Sequence, residues 1–195
     1  MPATNSVGPA ATVDPRELRN TLAAFATCVT VIATRHDGGN HGMTANAFMS
    51  VSLDPPLIVV SIDRRARMRS KIEQSRRYSV SILAENMADI ALHFAGKPKL
   101  DPSCLFEDYV GLPVIQGASA RFAASLFNTV DAGDHILFIG AVEQFSRGDS
   151  HPLIFHRGGF RALPDAHAST SGFASWPAGE ARIAARYLEE APQLW

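Results

Sequence analysis

The stretch from Gly42 to Pro56, Gly-Met-Thr-Ala-Asn-Ala-Phe-Met-Ser-Val-Ser-Leu-Asp-Pro-Pro, constrains this chain more than any other. It begins beside a turn, alternates small polar with apolar residues, and stops at two prolines, which cannot extend a hydrogen-bonded ladder. A strand that only packs a core favours β-branched and aromatic residues. Here Thr44, Asn46, Ser50 and Ser52 fall on alternate positions. Strand side chains repeat every two residues, so these four are expected on one face, with Met43, Ala45, Ala47, Met49, Val51 and Leu53 on the other. A row of uncharged donors and acceptors suits a flat ligand rich in heteroatoms. It equally suits the solvent side of a half-buried strand, and the pattern alone leaves both readings open.

The 195 residues are enough for one domain with a sizeable core. A formal net charge of -1 argues against nucleic-acid binding by general electrostatics, which needs clustered positive charge. No apolar run approaches the roughly 20 residues that span a bilayer. Met1 to Val13 lacks a basic segment followed by an apolar one, so it does not read as a secretory signal. Cys28 and Cys104 are far apart and have no second ligand at metal-site spacing, which suggests unbridged thiols in a reducing compartment. A soluble cytoplasmic protein is expected.

Asp14-Pro15-Arg16-Glu17 is a helix start, with Asp14 as N-cap and Pro15 at the first helical position. Leu18, Leu22 and Phe25 then recur at helical spacing, predicting an amphipathic helix to about Phe25. Thr27 to Thr34 reads as a strand. The turn chemistry of His36-Asp37-Gly38-Gly39-Asn40 pairs it with the Gly42 stretch as a hairpin. Leu57 to Ile62 is a strand buried on both faces. A helix runs to Gln74, Tyr78 to Leu83 is a strand, and a helix capped by Asn86 ends at Gly96. Lys97 to Val110 is expected to be a long irregular connection. Ala118 to Val130 and His135 to Phe145 form a hairpin about Asp131-Ala132-Gly133-Asp134, and two short strands flank Arg157-Gly158-Gly159. The division expected is a loose leader over 1–13, one domain over 14–163, and a linker with a terminal helix (Ala178 to Glu190) over 164–195. Strands joined by hairpins with few helices indicate a β-rich α+β domain centred on a barrel.

Glycine-rich dinucleotide loops, Walker loops, the H-E-x-x-H motif and the G-x-S-x-G elbow are all missing from the sequence. His36 and His41 flank a turn and are expected to face water, while His93, His151, His156 and His167 have no partner at ligand spacing. His135 opens a strand at a hairpin end, where a side chain can point into a cleft, and is the best single candidate for chemistry. Arg64, Arg65, Arg67 and Arg69 crowd the junction between a strand and a helix. They are either a solvated face or, with the free N–H groups of the helix start, a phosphate site.

Taken in order, these segments resemble the short-chain flavin reductases, the reductase partners of two-component flavin monooxygenases. The blocks that carry the likeness are Val29-Thr30-Val31, Gly42 to Phe48, Ser50 to Leu57, Tyr78 to Leu83, and Phe94-Ala95-Gly96-Lys97. After them come Gly111-Leu112-Pro113, Gly133-Asp134-His135 with Phe138-Ile139-Gly140, and Pro152 to Phe155 with Gly159-Phe160. The likeness covers about Leu18 to Leu163. It implies a split β-barrel with a Greek-key core, a homodimer, FMN or FAD as flavin, and NADH or NADPH as hydride donor to flavin N5. It also implies that reduced flavin passes to a separate oxygenase. Residue by residue, it puts Thr44, Ala45 and Asn46 at the isoalloxazine ring and Ser50, Val51 and Ser52 beside the ring and ribityl chain. The phosphate turn falls on Asp63 to Met68, and His135 where nicotinamide and flavin meet. Phe94 and Lys97 belong to the same cofactor-binding set.

The chemistry agrees with these assignments, because hydride transfer needs two rings held in place rather than an acid–base triad. Two departures from the family pattern stand out. Ala66 and Met68 occupy places where the family carries Ser and Thr, which leaves phosphate contacts to backbone N–H groups, Arg64, Arg65, Arg67 or Ser70. Phe122 stands where a Trp is common, and the usual Glu-Cys element is absent from that strand. A flavin-binding protein that retains its FMN for electron transfer is the alternative reading. The residues past Leu163 lie outside the resemblance; their helix is expected to cover the partner subunit or the nicotinamide pocket.

Overall fold

The computed structural model describes residues 13–101 and 104–163. Helix α1 (Pro15–Leu22) starts as expected: the Arg16 N–H donates to the Asp14 side chain over 2.8 Å, and Pro15 occupies the first turn. It ends three residues short of Phe25, where the Ala24 and Phe25 N–H groups turn back onto Thr21 and Leu22. Short β1 (Thr27–Cys28) leads into β2 (Thr30–His36). Asp37 and Gly38 then both take positive φ, 51° and 72°, and fold β3 (Gly39–Ala45) back along β2 as the sequence predicts. The rest of the main sheet comprises β4 (Phe48–Leu53), β5 (Pro56–Asp63) and β6 (Arg77–Ile82), with β9 (Ala120–Ala132) and β10 (His135–Arg147). Helices α2 (Arg67–Ser75) and α3 (Ala88–Phe94) interrupt them.

Seven antiparallel strands pair in the order β3-β2-β6-β9-β10-β5-β4, so the two edge strands are consecutive in sequence. Only Asn46 and Ala47 join them. Flat, such a sheet would be roughly 29 Å across at about 4.8 Å per strand. The three steps from Ala45 to Phe48 reach at most about 11 Å. The sheet therefore has to curl until its edges meet at this corner. Thr30 Oγ1 donates to the Ala45 carbonyl (2.7 Å) and the Ser61 N–H to the Ala47 carbonyl (3.0 Å), pinning the corner from both sides. The edge strands are not paired with each other, which leaves a barrel open along one seam.

This corner overturns the expectation of one continuous strand. Met43 and Ala45 pack on the inner core of Ile32, Val60, Ile62, Tyr78 and Phe138; after the corner it is Phe48 that does so. The inward parity has switched from odd to even. A bulge between Ser50 and Ser52 then shifts it again. Thr44, Asn46, Ser50 and Ser52 therefore do not form one polar row. A second apolar cluster fills the space outside β2, where Val31 and Ala33 meet Ala91 of α3 and Ile115.

The connection expected to be irregular holds a hairpin, β7 (Phe106–Tyr109) and β8 (Leu112–Ile115), turned at Val110 and Gly111 with φ of 47° and 84°. Three arginines clasp it to the barrel: Arg35 to Asp108 (2.9 Å), Arg121 to Glu107, and Arg77 to the Val110 carbonyl (3.2 Å). The N-cap of α3 is Met87 rather than Asn86, and no side chain caps it. The final strands β11 (Ile154–His156) and β12 (Gly159–Arg161) form the expected pair, with β1 added at one edge. No helix among the described residues is long and apolar enough to cross a membrane. The leader up to residue 12 and the proposed linker and helix from Pro164 onward lie outside the described residues.

Candidate active site

Two hollows lie along β3 and β4, the first at the Asn46–Ala47 corner and the second beside Asn40 to Met43. The first, on the outside of the barrel, is an apolar shelf of about 270 Å³. Its wall is Asn46, Ala47 and Met49 on one side and Val59, Ser61 and Leu137 on the other, with Phe25 at the rim. In register, Ser61 lies opposite Leu137 and Asp63 opposite His135. Period two then sets His135 on the shelf side of β10, one strand repeat of about 7 Å beyond Leu137.

His135 is half-exposed, and its Nδ1 lies 2.8 Å from Asp134 Oδ1. An ionised carboxylate can only accept, so Nδ1 carries the proton and donates, leaving Nε2 available for a ligand. That bond holds the Asp134 carboxyl below the usual carboxylate range.

The second hollow is an open cleft of about 510 Å³ between β3 and the start of α2. Gly42, Met43, Asn40 and His41 form one wall, and Ala66, Arg67, Met68 and Lys71 the other. The N-cap of α2 is Ala66, whose side chain caps nothing. The Arg69 N–H turns back onto the Ala66 carbonyl (3.1 Å), so the Arg67 and Met68 N–H groups and the positive end of the helix dipole are left for solvent or an anion. The four crowded arginines resolve into distinct tasks. Arg64 donates to the Gly133 carbonyl (2.9 Å) and Asp131 (2.8 Å), tying the strand end to the β9–β10 turn. Arg65 is bound twice to Asp63, by its backbone N–H (2.7 Å) and its guanidinium (2.7 Å), which drives the Asp63 carboxyl far below its ordinary value. Arg69 pairs with Glu73 at 3.0 Å. Arg67 alone of the four has no side-chain partner among the described residues, and it lines the cleft.

The candidate residues from the sequence are thus dispersed in a definite way. Asn46 belongs to the shelf, Ala66 and Arg67 to the cleft, and Ala45 sits between them at the corner. Asp63, Arg64 and Arg65 surround the strand ends beside His135. Thr44 turns outward instead, and its hydroxyl donates to the Ala91 carbonyl over 2.7 Å, fastening α3 to β3. Ser50, Val51 and Ser52 lie farther along β4 at the bulge, and the Ser70 hydroxyl is taken up by the Arg67 carbonyl (3.2 Å). Phe94 packs behind Gly42 and against Phe106, with ring centres 5.3 Å apart, and Lys97 is exposed past the end of α3.

Sequence reasoning missed Ser61, Leu137, His41 and Lys71. Ser61 was detectable as the one polar residue in an apolar strand, and Lys71 as the residue one helical turn after Arg67. His41, expected to face water, instead lines the cleft with its Nε2 3.3 Å from Lys71 Nζ.

Matched residues 22–164 fit the family model described as a flavin reductase like domain. The chain belongs to that family. It is 44% identical over 154 residues to an NADH-dependent flavin reductase of Rhodococcus, covering 77% of this chain and 88% of the relative. Likewise it is 37% identical to the reductase component of 4-hydroxyphenylacetate 3-monooxygenase from Thermus thermophilus, covering 74% and 94% of the two chains. Among solved structures, flavin reductase PheA2 superposes with a TM-score of 0.76 at 45% identity, over 78% of this chain and all 100% of the other.

This flavin reductase is therefore an oxidoreductase on a split-barrel fold. Its residues fit a flavin. An unpaired Arg67 and an uncapped helix start suit a phosphate, the shelf suits an apolar ring, and the corner between them offers the amide of Asn46. Of the two departures, Met68 is buried in the inner core, and Phe122 packs inside the barrel on Phe48 at 5.7 Å between ring centres. Phe122 therefore faces the core rather than the shelf.

Proposed function

We propose that the chain reduces free flavin, FMN or FAD, with NADH or NADPH, and releases it to a separate oxygenase. The observation that carries this reading is the junction at Asn46–Ala47. There the apolar shelf begins, and Asn40 to Met43 of the strand leading into the corner line the cationic cleft at an uncapped helix start. Bound flavin supplies the hydride acceptor at N5 and the nicotinamide supplies the hydride. The chain's own part is positional: Ala45 and Asn46 hold the ring edge, Arg67 and the first-turn N–H groups of α2 hold the phosphate, and His135 Nε2 orients the incoming donor. Asp134 keeps that imidazole in one tautomer, as a second group must whenever a histidine acts through a single nitrogen. Release is supported by both hollows being open to solvent.

Anaerobic titration with FMN and FAD, then with NADH and NADPH, tests the reading. A colourless protein that binds added flavin reversibly and reduces it supports the proposal. A protein that carries stoichiometric flavin through dialysis overturns release and favours the electron-transfer alternative.

The same reading makes the enzyme a homodimer. At about 270 Å³ the shelf falls just short of ordinary ligand pockets, which run from roughly 300 to 1,000 Å³. Phe25 and Met49 in its lining, and Val130 across from Leu137, are exposed, and Phe25 is 75% accessible. Contiguous apolar surface of that kind marks an interface, and a second copy is the self-complementary occupant that would complete the shelf. Sedimentation equilibrium giving twice the 21.0 kDa chain mass is expected; a monomer at micromolar concentration would refute the assignment. The cytoplasm, which supplies both pyridine nucleotide and a reducing environment, is the compartment proposed.

A further inference from the structure

The turn that carries His135 stands clear of the strands on either side of its hairpin. On one side β9 pairs with β6 only as far as Ser125, and the Leu126 N–H closes that ladder onto the Arg76 carbonyl over 2.8 Å. From Phe127 to Ala132 every residue of β9 is exposed. On the other side β10 pairs with β5 from Ala141 back to His135, which faces Asp63 in the last register pair. Gly133 and Asp134, the turn between β9 and β10, therefore project past both neighbouring strands. A hairpin tip with so little packed around it opens and tilts at small cost in free energy.

Arg64, the first residue after β5, closes over this tip and bonds to three of its residues. Its backbone N–H donates to the Asp134 carbonyl at 3.0 Å, its Nε to the Gly133 carbonyl at 2.9 Å, and its Nη2 to Asp131 Oδ1 at 2.8 Å. Among the described residues, no other residue outside the hairpin is hydrogen-bonded to Gly133 or Asp134. The planar guanidinium suits this task, because its rigid fork reaches a carbonyl and a carboxylate together, which an ammonium on a flexible stem does not do. A side chain committed in this way to the hairpin is not free to follow a phosphate.

We propose that Arg64 is a positioning residue for His135 rather than a phosphate ligand; the inference rests on the reading of His135 given above. The clasp fixes the turn, the turn fixes the backbone of His135, and the Asp134 carboxylate on the same turn fixes its ring. Arg64 passes no proton and no electron. It sets the angle at which His135 Nε2 meets the incoming nicotinamide, and transfer between two held rings is sensitive to such angles.

The test is a double-mutant cycle between Arg64→Ala and His135→Ala in the full chain. It is read as the single-turnover rate of hydride transfer from NADH to FMN or FAD by anaerobic stopped flow, with flavin dissociation constants measured on the same proteins. Arg64→Ala is expected to slow transfer about tenfold through lost orientation, with flavin affinity changed less than about twofold. In the His135→Ala background the same change is expected to slow transfer by less than about twofold, since the group being positioned is gone. Arg64→Lys keeps the charge and the backbone bond but not the fork, and is expected to stay at least about threefold slow. Equal losses from Arg64→Ala in both backgrounds overturn the positioning role and leave His135 in place, as does full recovery by lysine. Weakened flavin binding with an unchanged rate at saturating flavin makes Arg64 a phosphate ligand instead. Parental rates in His135→Ala overturn the reading of His135 and the proposal with it.

Discussion

Gly42→Ala tests how the outer layer sets the position of the cleft. Gly42 has an ordinary β conformation, so backbone strain is not the reason for glycine there. A Cβ at this position would lie 2.6 Å from Phe94 Cε1, 2.7 Å from Cδ1 and 3.0 Å from Phe106 Cζ. The Phe94 ring cannot simply step aside, because it is wedged between His93, with ring centres 4.8 Å apart, and Phe106 at 5.3 Å. In an unhindered strand, alanine would be more stable than glycine by about 0.5–1 kcal/mol. Overpacking a filled site costs about 1–3 kcal/mol. The net expectation is a loss of about 0.5–2 kcal/mol, seen as a lower urea midpoint at unchanged slope, with protein concentration held fixed because the chain is proposed to dimerise. The cycle with Phe94→Leu isolates the cause. In the Phe94→Leu background the same alanine should cost little or stabilise. Additive effects across the cycle would refute the steric account, as would a Gly42→Ala protein more stable than its parent.

Three further outcomes are expected. His135→Ala should slow hydride transfer, measured by stopped flow under anaerobic conditions, on the order of tenfold to a hundredfold through lost orientation, with flavin binding kept; an unchanged rate removes His135 from the mechanism. Thr44→Val removes the bond to the Ala91 carbonyl and should cost about 1 kcal/mol in denaturant unfolding, whereas Thr44→Ser should restore most of it; equal flavin affinity in the valine variant would show that the hydroxyl serves α3 and not the ring. Asp63 is held below its ordinary value by Arg65, so its contribution to stability is complete above the unfolded value of about 3.9 and is lost as pH falls below it. The thermal midpoint of Asp63→Asn should therefore fall less steeply than that of the parent below about pH 4, and parallel curves would contradict this.

Much of the fold was legible because it follows from local chemistry. The turn at Asp37-Gly38, the cap at Asp14, and the long hairpin of β9 and β10 each follow from a few adjacent residues. The β7–β8 hairpin was not legible. Its four-residue strands are held from outside by Arg35, Arg77 and Arg121, which are 33 or more residues from most of their partners, and nearby prolines and glycine disguise the short alternation. The site divides the same way. His135 was singled out by its place after a turn, whereas nothing local signals that the Thr44 hydroxyl is committed to a helix 47 residues away. Lys71 and His41 carry no local signal that they face one another.

The deepest error was also the most informative. Reading Gly42 to Pro56 as one strand assumed that alternation continues wherever residue types alternate, yet parity reverses at Asn46–Ala47 because the sheet has to close there. Two residues do the work of a crossover, since β3 and β4 are neighbours in sequence and opposite edges in the sheet. Such a corner ends the ladder between the two edges, and it puts the open seam of the barrel beside the apolar outer face of β5. The flavin proposed above would rest its ring on this shelf, outside the packed core. The position of the shelf is thus a consequence of how the barrel closes. Lengthening the corner by two glycines should relax that constraint. The expected result is weakened flavin binding with the inner core, and hence most of the stability, retained; loss of folding together with binding would mean that closure is needed for the core as well.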